Sequence, residues 1–113
     1  MPDRKKGVKI HPIQQLYIPP MEIYHFPNGT KVCEINLGSQ DIIKMEIIHT
    51  AGRSTESQNL IARATAALMR EGTTNKSSSM LADEIDYYGS SIKTASNMDF
   101  SYSILYSLLR YAN

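Results

Sequence analysis

The chain has 113 residues and a formal net charge of +1. That length suits one small domain, and that charge supplies no broad basic field for nucleic acid. Hydrophobic residues make up 42% and charged residues 20%, an ordinary globular balance, and no apolar run approaches the roughly 20 residues that span a bilayer.

In chain order, Met1 to Pro20 is polar and punctuated by Pro2, Pro12, Pro19 and Pro20. Proline fixes φ and removes a donor, so residues 1–20 are expected to form an extended arm, with Asp3 to Lys6 as a solvated start. Ile10, Ile13, Leu16, Tyr17 and Ile18 give the arm apolar teeth. Residues 21–113 are expected to form the domain. Met21 to Phe26 is β-prone, Pro27-Asn28-Gly29 signals a hairpin, and Thr30 to Leu37 returns as its second strand. Asp41 to Thr50, rich in isoleucine, reads as a third and central strand.

The period then changes. Ser54 or Thr55 is expected to cap a helix whose first turns include Ser57 and Gln58. Leu60, Ile61, Ala64, Leu68 and Met69 recur at helical spacing, the alanines favour the helix and allow close approach, and Gly72 reads as its stop. Ser77 to Ser79 supply a cap for a second helix with the apolar stripe Leu81, Ile85 and Tyr88, ended by Gly89. Ser91 to Ser96 and Phe100 to Leu105 read as strands around a turn at Asn97-Met98-Asp99. Leu108 to Ala112 reads as a last strand residue or the first turn of a helix. The order β-β-β-α-α-β-β predicts an α+β fold, with two helices on one face of a largely antiparallel sheet. That sheet would have an unfinished edge.

Four stretches carry a family likeness: FPNGTKV (Phe26 to Val32), IIHTAGRSTES (Ile47 to Ser57), MREGTTNKSSSMLADEIDYYGSSI (Met69 to Ile92) and NMDFSYSILY (Asn97 to Tyr106). Each is weak alone, but in this order and spacing the chain resembles the amino-terminal domain of the pitrilysin or insulinase type zinc metallopeptidases. That family includes the mitochondrial processing peptidases. The likeness covers most of this chain and about half of the family's domain. It implies that the His-x-x-Glu-His motif falls on Arg63-Ala64-Thr65-Ala66-Ala67. The motif needs two imidazoles at i and i+4 to hold zinc and a glutamate to activate the bound water. Arg63 cannot lose its proton to coordinate a cation. Ala67 has no ligand atom, and Ala66 has no carboxylate. A third ligand, a Glu on a later helix, would fall beyond residue 113. No zinc or other cofactor is therefore expected in this chain, although the family carries zinc.

No other catalytic set stands out. His11, His25 and His49 are scattered, and Cys33 with His49 on neighbouring strands would make one pair, not a closed metal site. Cys33, the only cysteine, excludes an intrachain disulfide and reads as a small apolar strand residue. Ser54, Ser57 and Ser77 to Ser79 lack a nucleophile elbow and read as caps. Asp83, Glu84 and Asp86 read as a solvated helix face.

The resemblance implies that the strand after the second helix takes extended peptide by main-chain pairing. Here that strand is Ser91, Ile92, Lys93, Thr94 and Ala95. Lys93 and Thr94 stand where the family usually shows Asn-Ala, and Lys93 also suits a guard against edge aggregation. Arg63 reads either as a helix-surface arginine or as a cation replacing the metal and pairing with a carboxylate from elsewhere. The expected function is a non-catalytic homologue or fragment of a zinc-dependent processing peptidase. It would bind peptide or unfolded polypeptide, pair with a catalytic homologue, or self-associate through an open sheet edge. An active endopeptidase with ligands supplied elsewhere or by a partner chain is the second reading. A scaffold module sharing only the fold is the third. With no signal-peptide core at its start, the chain is expected to be soluble and cytoplasmic.

Overall fold

Why residues 11–20 form neither helix nor strand follows from Pro12, Pro19 and Pro20, which cannot donate to a ladder. The structure, a computed structural model, describes Gly7, residues 11–38 and residues 40–112. The charged start at Asp3 to Lys6 and Ile10 lie outside the described residues. The chain forms two units, Met1–Ser39 and Gln40–Asn113.

The first unit contains one antiparallel hairpin, β1 (Met21–His25) paired with β2 (Lys31–Ile35) in the register Met21 to Ile35 and His25 to Lys31. The expected Pro-Asn-Gly turn closes it. Gly29 N–H donates to Phe26 O at 2.9 Å and Phe26 N–H to Thr30 O at 2.9 Å. Pro27 thus sits where a β-turn favours a fixed φ. Asn28 Oδ1 accepts from Thr30 N–H at 3.0 Å. Tyr24 donates to Glu22 two residues away on the same face, and that carboxylate raises the phenol above its ordinary pKa.

The second unit is a three-stranded antiparallel sheet with two helices. The order is β3 (Ile42–His49), β5 (Ser101–Leu108), β4 (Ser91–Ser96). The α+β class and the order β-β-β-α-α-β-β are as expected from sequence, with the strands divided between two sheets. β3 is at an edge, and the central strand is β5. Isoleucine content does not distinguish edge from centre. What decides it is connection: Asn97 turns β4 directly back as β5, with its N–H donating to Phe100 O at 2.8 Å. Its Oδ1 accepts from Asp99 and Phe100 N–H at 3.0 and 2.8 Å. β3 then pairs with the other side of β5 from Ile42–Leu108 to His49–Ser101. β5 runs past the expected Leu105 to Leu108 and leads into a 3₁₀ turn at Leu109–Tyr111.

The first helix, α1 (Ile61–Leu68), is shorter than expected at both ends. Arg53–Thr55 forms a separate 3₁₀ turn, so neither Ser54 nor Thr55 caps α1. Ser57 and Gln58 lie outside it. The cap is Glu56: its carboxylate accepts from Leu60 N–H at 3.0 Å and from Ala62 N–H at 2.9 Å. A carboxylate there satisfies two orphan donors and meets the positive end of the helix dipole. Leu60, at φ 75°, occupies the left-handed region, where a branched side chain is strained. At the other end the helix stops at Leu68 with Met69 as C-cap, so Gly72 lies beyond its end.

The second helix, α2 (Ser78–Tyr87), follows the sequence closely. Ser77 is the N-cap, its hydroxyl accepting from Met80 N–H at 3.3 Å. Gly89, at φ 58°, lets the last carbonyls be paired: Gly89 N–H reaches Asp86 O and Ser90 N–H reaches Ile85 O, both at 2.9 Å. This is a Schellman closure. Of the expected solvated face, Asp83 and Asp86 are exposed, while Glu84 pairs with Lys76.

Both helices pack on one face of the sheet. Ala62 and Ala66, one turn apart on α1, are its buried side chains, and α1 contacts β4 and β5. Met69 Sδ, just past α1, accepts from Ser103 Oγ at 3.8 Å. Thr94 is opposite Ser103, so Thr94 shares that face. Just after β3, Gly52 passes against the β4–β5 turn. Arg53 N–H donates to Asn97 O at 3.1 Å and Ser54 N–H to Met98 O at 2.9 Å. A Cβ on Gly52 would meet Met98 O and Asp99 C, each at 2.4 Å.

Gly52→Ala is therefore expected to destabilise the fold by about 1–3 kcal/mol through forced backbone displacement, read as a lower urea midpoint. Glu56→Ala is expected to lose about 1–2 kcal/mol of cap stabilisation, measured in the same unfolding experiment.

Candidate functional site

The eight-residue helix α1 fixes what its side chains can do. Residues four apart share a helix face, so Ala62 and Ala66 form one seam and Arg63 and Ala67 form another. The first seam is buried, at 8% and 4% exposure, against the sheet. The second is exposed. The three positions that the resemblance assigns to the motif therefore divide: Ala66 is part of the packing, while Arg63 and Ala67 are not.

Ala67 lines an open cleft of about 330 Å³ with Arg70, Glu71, Ser78, Ala82, Ile85 and Thr94. The cleft is bounded by the end of α1, the start of α2 and strand β4. Thus the structure brings Ala67 together with Thr94. Arg63, Ala66, Ser91, Ile92, Lys93 and Ala95 are outside this lining. Arg70 and Glu71 are cleft residues that the sequence did not single out, and Ser78 read there only as part of a helix cap. Their signal was slight: a charged pair just before Gly72 and a serine beside a cap. Ser78 Oγ donates to Glu71 Oε2 at 3.2 Å. The loop between the helices is held by its own bonds. Thr73 N–H donates to Lys76 O at 2.8 Å, and Thr73 Oγ1 accepts from Lys76 N–H at 3.1 Å.

The residues at the motif positions do not fit zinc. A guanidinium and two methyl groups offer no lone pair to a divalent cation. Among the described residues there is no group of three His, Cys, Asp or Glu side chains placed to hold a metal ion. His25 ends β1 and His49 ends β3, and Cys33 is exposed on β2. Strand β2 pairs with β1, and β3 pairs with β5. Among the described residues no helix is long and apolar enough to cross a membrane.

Strand β4 pairs only with β5, leaving its other edge without a strand partner among the described residues. It presents the backbone of Ser91 to Ser96 as an unpaired ladder side, next to the cleft through Thr94. Lys93 is exposed on it, whereas Ile92, Thr94 and Ala95 are half-buried.

No protein-family model matches this chain, and no curated protein matches it. Solved structures do match. Among them is the crystal structure of a peptidase M16 inactive domain from Pseudomonas fluorescens, with a TM-score of 0.76 and 19% identity. The match covers 82% of this chain and 23% of that one, so this chain corresponds to less than a quarter of its neighbour's length. The likeness shows that the chain has an M16-like, pitrilysin-like fold.

The burial of Ala66 has a measurable consequence. Ala66→Glu, which puts a carboxylate where the resemblance implies one, is expected to cost about 2–4 kcal/mol, because it adds volume and charge at a packed seam. Arg63→His with Ala67→His, on the exposed seam, is expected to shift stability by less than about 1 kcal/mol. Thermal unfolding of the two variants separates these outcomes.

Proposed function

We propose that this chain is a non-catalytic relative of the zinc-dependent processing peptidases, and that it binds extended polypeptide along β4. The observation that carries the reading is the conjunction of an M16-like fold, side chains without ligand atoms at Arg63, Ala66 and Ala67, and a β4 edge without a strand partner among the described residues. Catalysis by the family's route needs a metal-activated water. Arg63, Ala66 and Ala67 can neither hold that metal nor take that proton. Peptide pairing needs only main-chain donors and acceptors at an edge, with adjacent pockets for alternate side chains. β4 offers the first, and the cleft between α1, α2 and β4 offers the second.

In this reading Ser91 to Ala95 form the binding strand, and Thr94 and Ala67 border the side-chain pocket. Arg70 and Glu71 give that pocket one cation and one anion, which favours peptides with mixed polar side chains over uniformly charged ones. The partner class is unfolded or extended polypeptide. A catalytic homologue that cleaves what this chain holds completes the assignment, in keeping with the neighbour's description as an inactive domain.

The test compares a fluorescent ten-residue peptide with the same peptide N-methylated at alternate residues. The unmodified peptide is expected to bind at least about tenfold more tightly, since methylation removes the ladder donors. Neither peptide is expected to be hydrolysed with added zinc. Equal binding of both peptides would overturn strand pairing, and chelator-sensitive cleavage would overturn the non-catalytic assignment.

A further inference from the structure

We propose that two copies of this chain associate through β3, pairing antiparallel about a two-fold axis at Met45. The sequence from Asp41 to His49 is Asp-Ile-Ile-Lys-Met-Glu-Ile-Ile-His. Read from either end it presents the same chemistry: an ionisable end residue, two isoleucines, a charge, and methionine at the centre, with the charges of opposite sign. The strand is a chemical palindrome, and the structure places it at a sheet edge. β3 pairs with β5 and has no second strand partner among the described residues. It is eight residues long, or about 27 Å of ladder. Ile42, Met45, Ile47 and Ile48 are 52%, 49%, 50% and 61% exposed. A long apolar edge of this kind is a template for pairing.

The register follows from charge. With the axis at Met45, antiparallel pairing sets Lys44 opposite the second copy's Glu46 and Glu46 opposite its Lys44. Asp41 then meets His49, Ile42 meets Ile48, and Ile43 meets Ile47. Within one strand Lys44 Nζ already lies 2.8 Å from Glu46 Oε2, and that carboxylate raises the lysine pKa. The pairing turns two such bridges into a ring of four charges alternating in sign. Moving the axis to residue 44 would set lysine against lysine. Moving it to residue 46 would set glutamate against glutamate. Opposed like charges disfavour both slips. An axis normal to the sheet also keeps odd-numbered residues on one face and even-numbered residues on the other. The result is a continuous six-stranded sheet, β4-β5-β3-β3-β5-β4, with all four helices on one face. The interface is isologous and closed at β3. Its two outer strands are both β4, so the polypeptide-binding edge remains available in each copy.

Sedimentation equilibrium of the full chain is expected to show a concentration-dependent dimer. Lys44→Glu and Glu46→Lys, each made alone, are expected to weaken it by about tenfold or more, since two opposed pairs become repulsive. The double swap Lys44→Glu/Glu46→Lys is expected to restore it. In a Cys33→Ser background, Met45→Cys is expected to form an oxidised dimer readily, whereas Ile48→Cys is not, because the two copies of position 48 lie far apart in this register. Circular dichroism checks that each variant keeps its fold, and the swap and cysteine arms test the register independently. A wild-type chain that stays monomeric up to its solubility limit would overturn the proposal, as would open-ended assembly. Failure of the double swap to rescue, or crosslinking at 48 in preference to 45, would overturn this register.

Discussion

Close approach between α1 and the sheet sets the terms for the rest of the second unit. The helix reaches β4 and β5 through Ala62 and Ala66, whose methyl side chains let a helix backbone come near a sheet. Larger residues at these positions would push α1 outward, because packed interiors yield little to added volume. That placement brings Met69 to Ser103 and opens the cleft at Ala67 and Thr94. Two further contacts fix the helix start. Glu56 folds back to hold the Leu60 and Ala62 N–H groups, and Gly52 lets the preceding segment lie against the turn between β4 and β5. The strained backbone of Leu60 is part of that arrangement. It reverses the chain tightly enough for Glu56 to reach the helix it precedes.

This packing gives a physical meaning to the positions that the family resemblance assigns to the motif. Position 66, which the family resemblance assigns to a catalytic carboxylate, belongs here to the seam that holds the helix down. Alanine there favours close packing over proton transfer. Positions 63 and 67 face away from the seam and are exposed. Arg63 and Ala67 thus differ from Ala66 in kind: they are exposed positions without ligand atoms, and Ala66 is a structural residue. The function proposed for the chain moves from side-chain chemistry to the backbone of β4. An exposed ladder side accepts a polypeptide without a metal, a nucleophile or a general base.

The two edges of the three-stranded sheet have different characters. β4 carries the exposed Lys93 and lies beside the cleft. β3 carries four exposed apolar side chains and an internally neutralised charge pair. An isolated lysine on an edge opposes pairing with a second copy of that edge, but a lysine already bridged to a glutamate two residues on presents alternating charge that a reversed copy can match. The proposed division gives β3 to self-recognition and β4 to polypeptide.

Local chemistry was legible in the sequence wherever one residue decides its own backbone. Pro27-Asn28-Gly29 specified the first turn, Ser77 the start of α2 and Gly89 its end, because caps and turns depend on side chains and φ angles within a few residues. The strand and helix order followed from the change in apolar period, and the α+β class it implied agrees with the M16-like fold of the solved neighbour. The true cap of α1 was not legible, because Glu56 acts from beyond the helix through a loop bent at Leu60. Nor was the tight approach at Gly52, whose partner residues Met98 and Asp99 lie far along the chain. The sequence by itself determined that Arg63, Ala66 and Ala67 offer neither a metal ligand nor a proton acceptor, a matter of side-chain atoms alone. Only the tertiary structure decided that β5 is central, that β3 and β4 are edges, and that Ala66 is buried while Ala67 borders a cleft. Strand neighbours and burial depend on which distant segments meet, and apolar periodicity records only that a face must be covered.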